Sequence, residues 1–146
     1  MALKNSLQKF LLKRPFKKKT EKEKLLSARV SKIIGQNVKN LDYYQEAFSL
    51  KIPNKTTGAK NYERLEFLGD AVWGSIISCY LYKNYPDANE GFLTQMKSKI
   101  VNRKNLNSLG EKLKLTDFIQ NGGNGNLGEN ISGNLFEAFI GALYLD

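Results

Sequence analysis

The chain has 146 residues, 41% of them hydrophobic, with one cysteine, no histidine and a formal net charge of +9. That length supports one domain burying about two-thirds of its unfolded surface, and a lone cysteine excludes a disulfide framework, which suits a reducing cytoplasm. Without histidine, His-based acid–base chemistry and His-ligated zinc are ruled out; no apolar run approaches the roughly eighteen residues of a membrane span, so a soluble protein is expected.

The charge is unevenly spread. Residues 1–24 hold nine Lys/Arg and two Glu, a net of +7, which leaves +2 for the rest of the chain. This basic leader is either a tail that attracts polyanions or a solubilising arm. Leu3, Leu7, Phe10 and Leu11 have helical spacing before Pro15 and Lys17-Lys18-Lys19, predicting an amphipathic surface helix and a flexible basic linker. The apolar core of a secretory signal is missing. Residues 25–146 form the folded domain.

The spacing predicts a helix over Leu25–Ile34 closed by Gly35. A second starts at Asn40-Leu41-Asp42 and turns Tyr43, Tyr44, Ala47 and Phe48 inward. Asn54–Lys60 is a loop by composition. A long helix runs from Glu63 to Tyr85 and stops at Pro86, with Leu65, Leu68, Val72, Ile76 and Tyr80 as its apolar stripe and Cys79 as a small buried hydrophobe. Asn84–Gly91 is a turn. Gly91–Asn105 follows as a helix carrying Lys97, Lys99, Arg103 and Lys104, with no acid between Glu90 and Glu111. Leu106–Leu115 is a short helix, Asp117–Asn130 a Gly- and Asn-rich loop, and a last helix runs to Asp146. No segment shows period-two alternation, so the fold class is all-α.

Two stretches carry chemistry. At about 100° per residue, Glu63, Glu66 and Asp70 fall within about 60° of one another on the long helix. Like charges at this spacing cost a few tenths of a kcal/mol per pair. A hard cation such as Mg²⁺ or Mn²⁺ offsets that cost; a solvated acidic stripe is the other reading of the same spacing. In the last helix, Leu135, Ala138, Phe139, Ala142 and Leu143 share one face while Asn134 and Glu137 share another. Gly141 and Ala142 leave room for a neighbouring backbone. If the two helices pack together, Glu66 and Asp70 meet Asn134 and Glu137 in one set of oxygen ligands. The four cations between them either hold a phosphate backbone beside that site or form a solvated basic face.

Tyr62-Glu63-Arg64-Leu65-Glu66-Phe67-Leu68-Gly69-Asp70-Ala71 resembles the signature of the ribonuclease III family of double-stranded-RNA endonucleases. Asn134-x-x-Glu137-Ala138-x-x-Gly141-Ala142-x-Tyr144-x-Asp146 resembles that family's second block, and Asp87–Arg103 its middle segment. The resemblance spans roughly residues 28–146. It implies the family's helical bundle and a metal cluster of Glu66, Asp70, position 134 and Glu137, with Asp70 and Glu137 central to catalysis. Glu63 lies at the edge of the implied site, and Glu90 matches an accessory acidic position. The implied cofactor is Mg²⁺, for which Mn²⁺ substitutes, with no organic cofactor. The implied substrate is double-stranded RNA, including ribosomal and other structured RNA, cut to 5′-phosphate and 3′-hydroxyl ends by a two-fold homodimer. Phe67 and Leu68 are equally suited to the dimer contact and to a plain core role.

The resemblance also implies a further helical segment and a double-stranded-RNA-binding domain that this sequence lacks, so it is expected to be the catalytic part of a longer protein. Two departures stand out. Ser49-Leu50-Lys51-Ile52-Pro53 replaces a polar, histidine-containing segment. Asn134 stands where the family has aspartate, which leaves three carboxylates in the cluster. The resulting alternatives are a metal-dependent endonuclease, a catalytically weakened RNA-binding module of the same fold, and a helical structural domain.

Overall fold

The computed structural model describes residues 18–50, 61–120 and 127–146. The leader helix through Leu11, the loop 54–60, the end of the departing segment at Pro53 and the stretch 121–126 lie outside the described residues. In chain order the elements are α1 (Glu21–Ile34), α2 (Leu41–Ala47), α3 (Glu63–Asn84), α4 (Glu90–Ile100), α5 (Arg103–Lys112), a 3-10 turn (Leu115–Phe118) and α6 (Ile131–Leu145). No strand occurs among the described residues, so the all-α expectation holds.

α6 is apolar on nearly every face, as a helix must be when neighbours cover it all round. Leu135, Phe136, Ala138, Phe139 and Ala142 are buried together with Ser132, Gly133, Glu137 and Gly141. α3 lies along one side of α6, α5 along another and α2 near its C-terminal end. The core closes with Leu26 and Val30 from α1, Tyr44 and Ala47 from α2 and Phe48 just after it, Leu65 from α3, and Leu106, Leu115 and Phe118. Phe48 stacks on Phe118 at 5.0 Å, and Tyr44 and Phe48 both meet Phe139.

The α3–α6 crossing is set by two glycines. A Cβ on Gly69 would stand 1.7 Å from the Glu137 carbonyl oxygen, and one on Gly141 would stand 2.3 Å from that of Leu65. Only hydrogen fits at either place. One turn on, Trp73 meets Phe136 edge-on at 5.2 Å and fixes the rotation of α3.

This crossing corrects the predicted stripe. The face turned to the core is Leu65, Gly69, Trp73, Ile77 and Leu81, one residue, or about 100°, away from Leu68, Val72, Ile76 and Tyr80. Ile76 and Tyr80 are exposed, and so is Cys79 instead of buried. α3 is apolar on several faces, and the absence of a side chain at Gly69 decides which one α6 meets.

The helix ends follow their caps. α1 starts four residues before the predicted Leu25, because Thr20 and Glu23 form a reciprocal capping box; it ends at Gly35, in the left-handed conformation at φ 71°, as expected. The predicted Gly91–Asn105 helix is two helices. Asn102 caps α5 by accepting from the Asn105 amide at 2.9 Å, which breaks the run after Ile100. Lys97 and Lys99 therefore lie on α4, and Arg103 and Lys104 on α5. The helix predicted over Leu106–Leu115 is the body of α5, which ends at Lys112, and Leu115 opens the 3-10 turn.

Asp146 ties the end of α6 to the start of α2. Its carboxylate accepts from the backbone amides of Lys39 and Asn40 and from the Tyr44 hydroxyl. Burial first, then the charge and hydrogen bond of Asp146, push the Tyr44 phenol well above its ordinary range.

Two outcomes follow. A glycine in mid-helix costs about 1 kcal/mol relative to alanine, so Gly69→Ala would stabilise a loosely packed α3. Here overpacking against the α6 backbone is expected to prevail and cost about 3 kcal/mol or more in urea unfolding. Asp146→Ala should lower stability by about 2 kcal/mol, seen as an earlier urea midpoint with an unchanged slope.

Candidate metal and nucleic-acid site

The site is built where α3 and α6 touch. Asn61 starts α3, its Oδ1 accepting from the Glu63 amide at 2.9 Å. Glu66 and Asp70 then project from successive turns on either side of the Gly69 contact. α6 is started by a neighbour: Asn107 of α5 accepts from the Gly133 amide at 2.9 Å and donates to Asn130 at 3.2 Å. Asn134 and Glu137 follow on the next turn.

Because Gly69 lies against the Glu137 carbonyl, the acidic side chains of both helices reach the same crossing. Glu137 is buried at 4% exposure, Glu66 and Asn134 are half-buried, and Asp70 faces solvent. Burial pushes the Glu137 carboxyl above its ordinary range; Arg103 pulls it back, while Asp70 and Glu66 push it up further. Glu66 is raised likewise, by burial first, then offset by Arg103 and raised again by Glu63 and Asp70. The three carboxylates therefore feel one another's charge across the two helices, the coupling that the sequence spacing alone left open.

They are gathered but not drawn together. Among the described residues no three Asp, Glu, Cys or His side chains stand close enough to hold one metal ion. Arg103, the first residue of α5, occupies the α6 side of the crossing. Its Nη1 donates to Asn134 Oδ1 at 2.7 Å and to Glu137 Oε2 at 3.3 Å. In donor chemistry the set fits a hard divalent cation: three carboxylates and an amide oxygen, with two of the carboxylates held at a cost in their charged form.

The remaining candidates fall outside this group. Glu63 is exposed in the first turn of α3, where it pairs with Asn61 and acts on Glu66. Glu90, the first residue of α4, accepts from the Thr94 hydroxyl at 2.7 Å within its own helix. Lys97 lies along α3, its ammonium 3.5 Å from where a Gly74 Cβ would stand, one turn beyond Asp70. Lys99 and Lys104 are exposed. The sequence reading set Arg103 beside these lysines as an RNA contact and gave no sign that it lies in the acidic cluster. The one cue was its place just after the cap Asn102, at the start of a helix packed on α6.

Comparison with known proteins gives the family of the chain. A family profile described as Ribonuclease III domain matches residues 63–146. The chain is 50% identical over 119 residues to Ribonuclease 3 of Zunongwangia profunda, covering 79% of this chain and 49% of that protein. It is 45% identical over 132 residues to Ribonuclease 3 of Flavobacterium psychrophilum, covering 88% and 54%. The chain thus spans about half the length of the curated relatives it matches. Among solved structures, the nuclease domain of ribonuclease III from Campylobacter jejuni, described for structural flexibility in its dimer-forming region, superposes with a TM-score of 0.69. It is 28% identical, with 80% of this chain and 83% of that one covered. With its signature helix and second block packed at one crossing, the chain belongs to the ribonuclease III family.

Proposed function

We propose that this domain is a divalent-metal-dependent endonuclease for double-stranded RNA, acting in the cytoplasm on ribosomal and other structured RNA. The observation that carries the reading is the convergence of Glu66 and Asp70 from α3 with Asn134 and Glu137 from α6, within the matched domain. These four residues would hold Mg²⁺, or Mn²⁺ in its place, with Asp70 and Glu137 the catalytic pair. When bound, the ion supplies Lewis-acid activation of water and of the phosphodiester, giving 5′-phosphate and 3′-hydroxyl ends.

The rest is done by the chain. Glu137, buried against the α3 backbone, cannot swing away and fixes one side of the site. Asp70, exposed on the facing helix, is free to approach. Glu63, in the first turn of α3, borders the acidic face and keeps it negative. Lys97, Lys99 and Lys104 hold the phosphate backbone, which suits recognition of an RNA duplex by shape and phosphates instead of base edges.

Phe67 supports a homodimer. It is 81% exposed on α3, one residue from Glu66, and borders a cleft of ≈ 590 Å³ lined also by Tyr43, Arg64, Leu68 and Leu145. In a two-fold interface a projecting ring and an adjoining cleft are self-complementary. That arrangement would set two acidic sites facing one duplex, one for each strand.

A second reading has one observation in its favour. Asn134 is neutral and already accepts from Arg103, so the cluster attracts a cation less than four acids would. A catalytically weakened RNA-binding module follows from that.

Duplex RNA labelled at its 5′ end separates the readings. Cleavage is expected with Mg²⁺ or Mn²⁺, and Asp70→Asn or Glu137→Gln should reduce it by about a hundredfold or more. Asn134→Asp should lower the Mg²⁺ concentration for half-maximal cleavage by about threefold, less than the roughly tenfold that one added charge worth about 1.4 kcal/mol would give alone, because an aspartate there also holds Arg103 more tightly. Duplex binding without cleavage under any metal condition, with cleavage appearing in Asn134→Asp, would establish the weakened module. For the dimer, Phe67→Arg should convert the protein to monomer in light scattering, and an unchanged mass would remove Phe67 from the interface.

A further inference from the structure

We infer that Arg103 is the resident counter-ion of the acidic cluster, and that a divalent cation entering the site must displace it from Asn134 and Glu137. The inference rests on the metal-site reading above.

The guanidinium occupies a shaped position. Its Nη1 bridges Asn134 Oδ1 and Glu137 Oε2 at 2.7 and 3.3 Å. The position exists because residue 133 is glycine: a Cβ there would stand 3.2 Å from that nitrogen and 2.6 Å from Asn107 Oδ1. Asn107 is itself held, accepting from the Gly133 amide and donating to Asn130. The start of α5 and the start of α6 are thus bonded together around the arginine. At the far end Glu137 is buried with 5% of its side chain exposed, whereas 45% of the Arg103 side chain is exposed. The acid is fixed and the cation is the partner able to leave.

The two oxygens that Arg103 takes are the α6 half of the proposed ligand set. A guanidinium on them satisfies part of the need that a metal would meet, because it offers one positive charge and N–H donors to two acceptor oxygens. It cannot draw Glu66 and Asp70 inward as a compact ion with six oxygen ligands does. Among the described residues the acids act on one another across the crossing without three of them standing at coordination spacing. A cation with two charges and a smaller radius competes for the same atoms, and the cost of dislodging Arg103 is subtracted from its affinity. Arg103 is on this account a positioning residue: it keeps Glu137 and Asn134 ordered before metal arrives, and weakens metal binding in return.

Titration calorimetry with Mn²⁺ alone tests this on the protein and on Arg103→Met, which keeps the stem and removes the charge. The expected result is at least about a fivefold tighter Mn²⁺ dissociation constant in Arg103→Met, with a lower metal-free Tm. Arg103→Gln, checked for native helicity by circular dichroism, should behave the same way if the methionine variant misfolds. In the unaltered protein, the Arg103 Nε–Hε resonance should shift as Mg²⁺ is added. Affinity that is unchanged or weaker in both variants overturns the inference. Asp70→Asn serves as the control for the underlying reading. If it abolishes Mn²⁺ binding while the Arg103 variants leave affinity unaltered, the metal site stands and the counter-ion role falls. If no protein binds Mn²⁺, or all bind it equally with Asp70→Asn included, both fall.

Discussion

Backbone-to-backbone contact between α3 and α6 is the constraint on which the rest of the structure depends. Gly69 and Gly141 bring two helices close enough that the carbonyl of Glu137 lies where a side chain would otherwise be. Such an approach does two things at once. It buries the α6 backbone deeply enough to make Glu137 an interior residue, and it sets the turns bearing Glu66 and Asp70 directly across from it. Had α3 met α6 through Leu68 and Val72, the helices would lie farther apart and the acids would point to different sides.

That geometry has an energetic consequence. A half-buried Glu66 and a buried Glu137 are both held less favourably as anions than they would be in water, and neighbouring acids add to the cost, Asp70 for both and Glu66 for Glu137. A fold selected for stability alone would place neutral residues here, and the usual explanation for tolerating such a cost is function. The stabilising interactions stand elsewhere: the aromatic core of Tyr44, Phe48, Phe118 and Phe139, and the clasp of Asp146 on α2. Arg29 adds to the outer side of that core, its guanidinium 4.1 Å from the centre of the Phe118 ring.

Much of this was legible in the sequence, and what was not has identifiable causes. Element type and order were readable because Gly35, Asn40 and Pro86 punctuate strong helical periodicity. The acidic residues of the crossing were readable because their spacing and the surrounding motifs coincide. Boundaries slipped where a local hydrogen bond outweighed hydropathy: Thr20 with Glu23 extends α1 through a charged stretch, and Asn102 divides a helical run, residues 92–105, that contains no Gly or Pro. The facing of α3 was misjudged because a helix apolar on several sides is oriented by its smallest residue, not its largest ones. Ile76, Cys79 and Tyr80 are exposed as a result. The contacts of Arg103 were not legible because a basic residue in a basic run reads as a phosphate contact or a solvated charge; its partners lie 31 and 34 positions away and are visible only once α5 has packed on α6.

The same contact gives a physical account of Asn134. Considered only as a ligand, an amide in place of a carboxylate weakens the site by one charge. Arg103 changes that balance, because an aspartate at 134 would add ion pairing to the bond that the charged guanidinium already makes to the amide oxygen. With asparagine, the short 2.7 Å bond goes to a neutral acceptor, and the ionic contact to Glu137 is the longer at 3.3 Å. The residue that lowers the attraction for a divalent ion therefore lowers the hold of its competitor as well. Asn134 and Arg103 form a matched pair, and the loss of charge at 134 is smaller in effect than a count of carboxylates suggests.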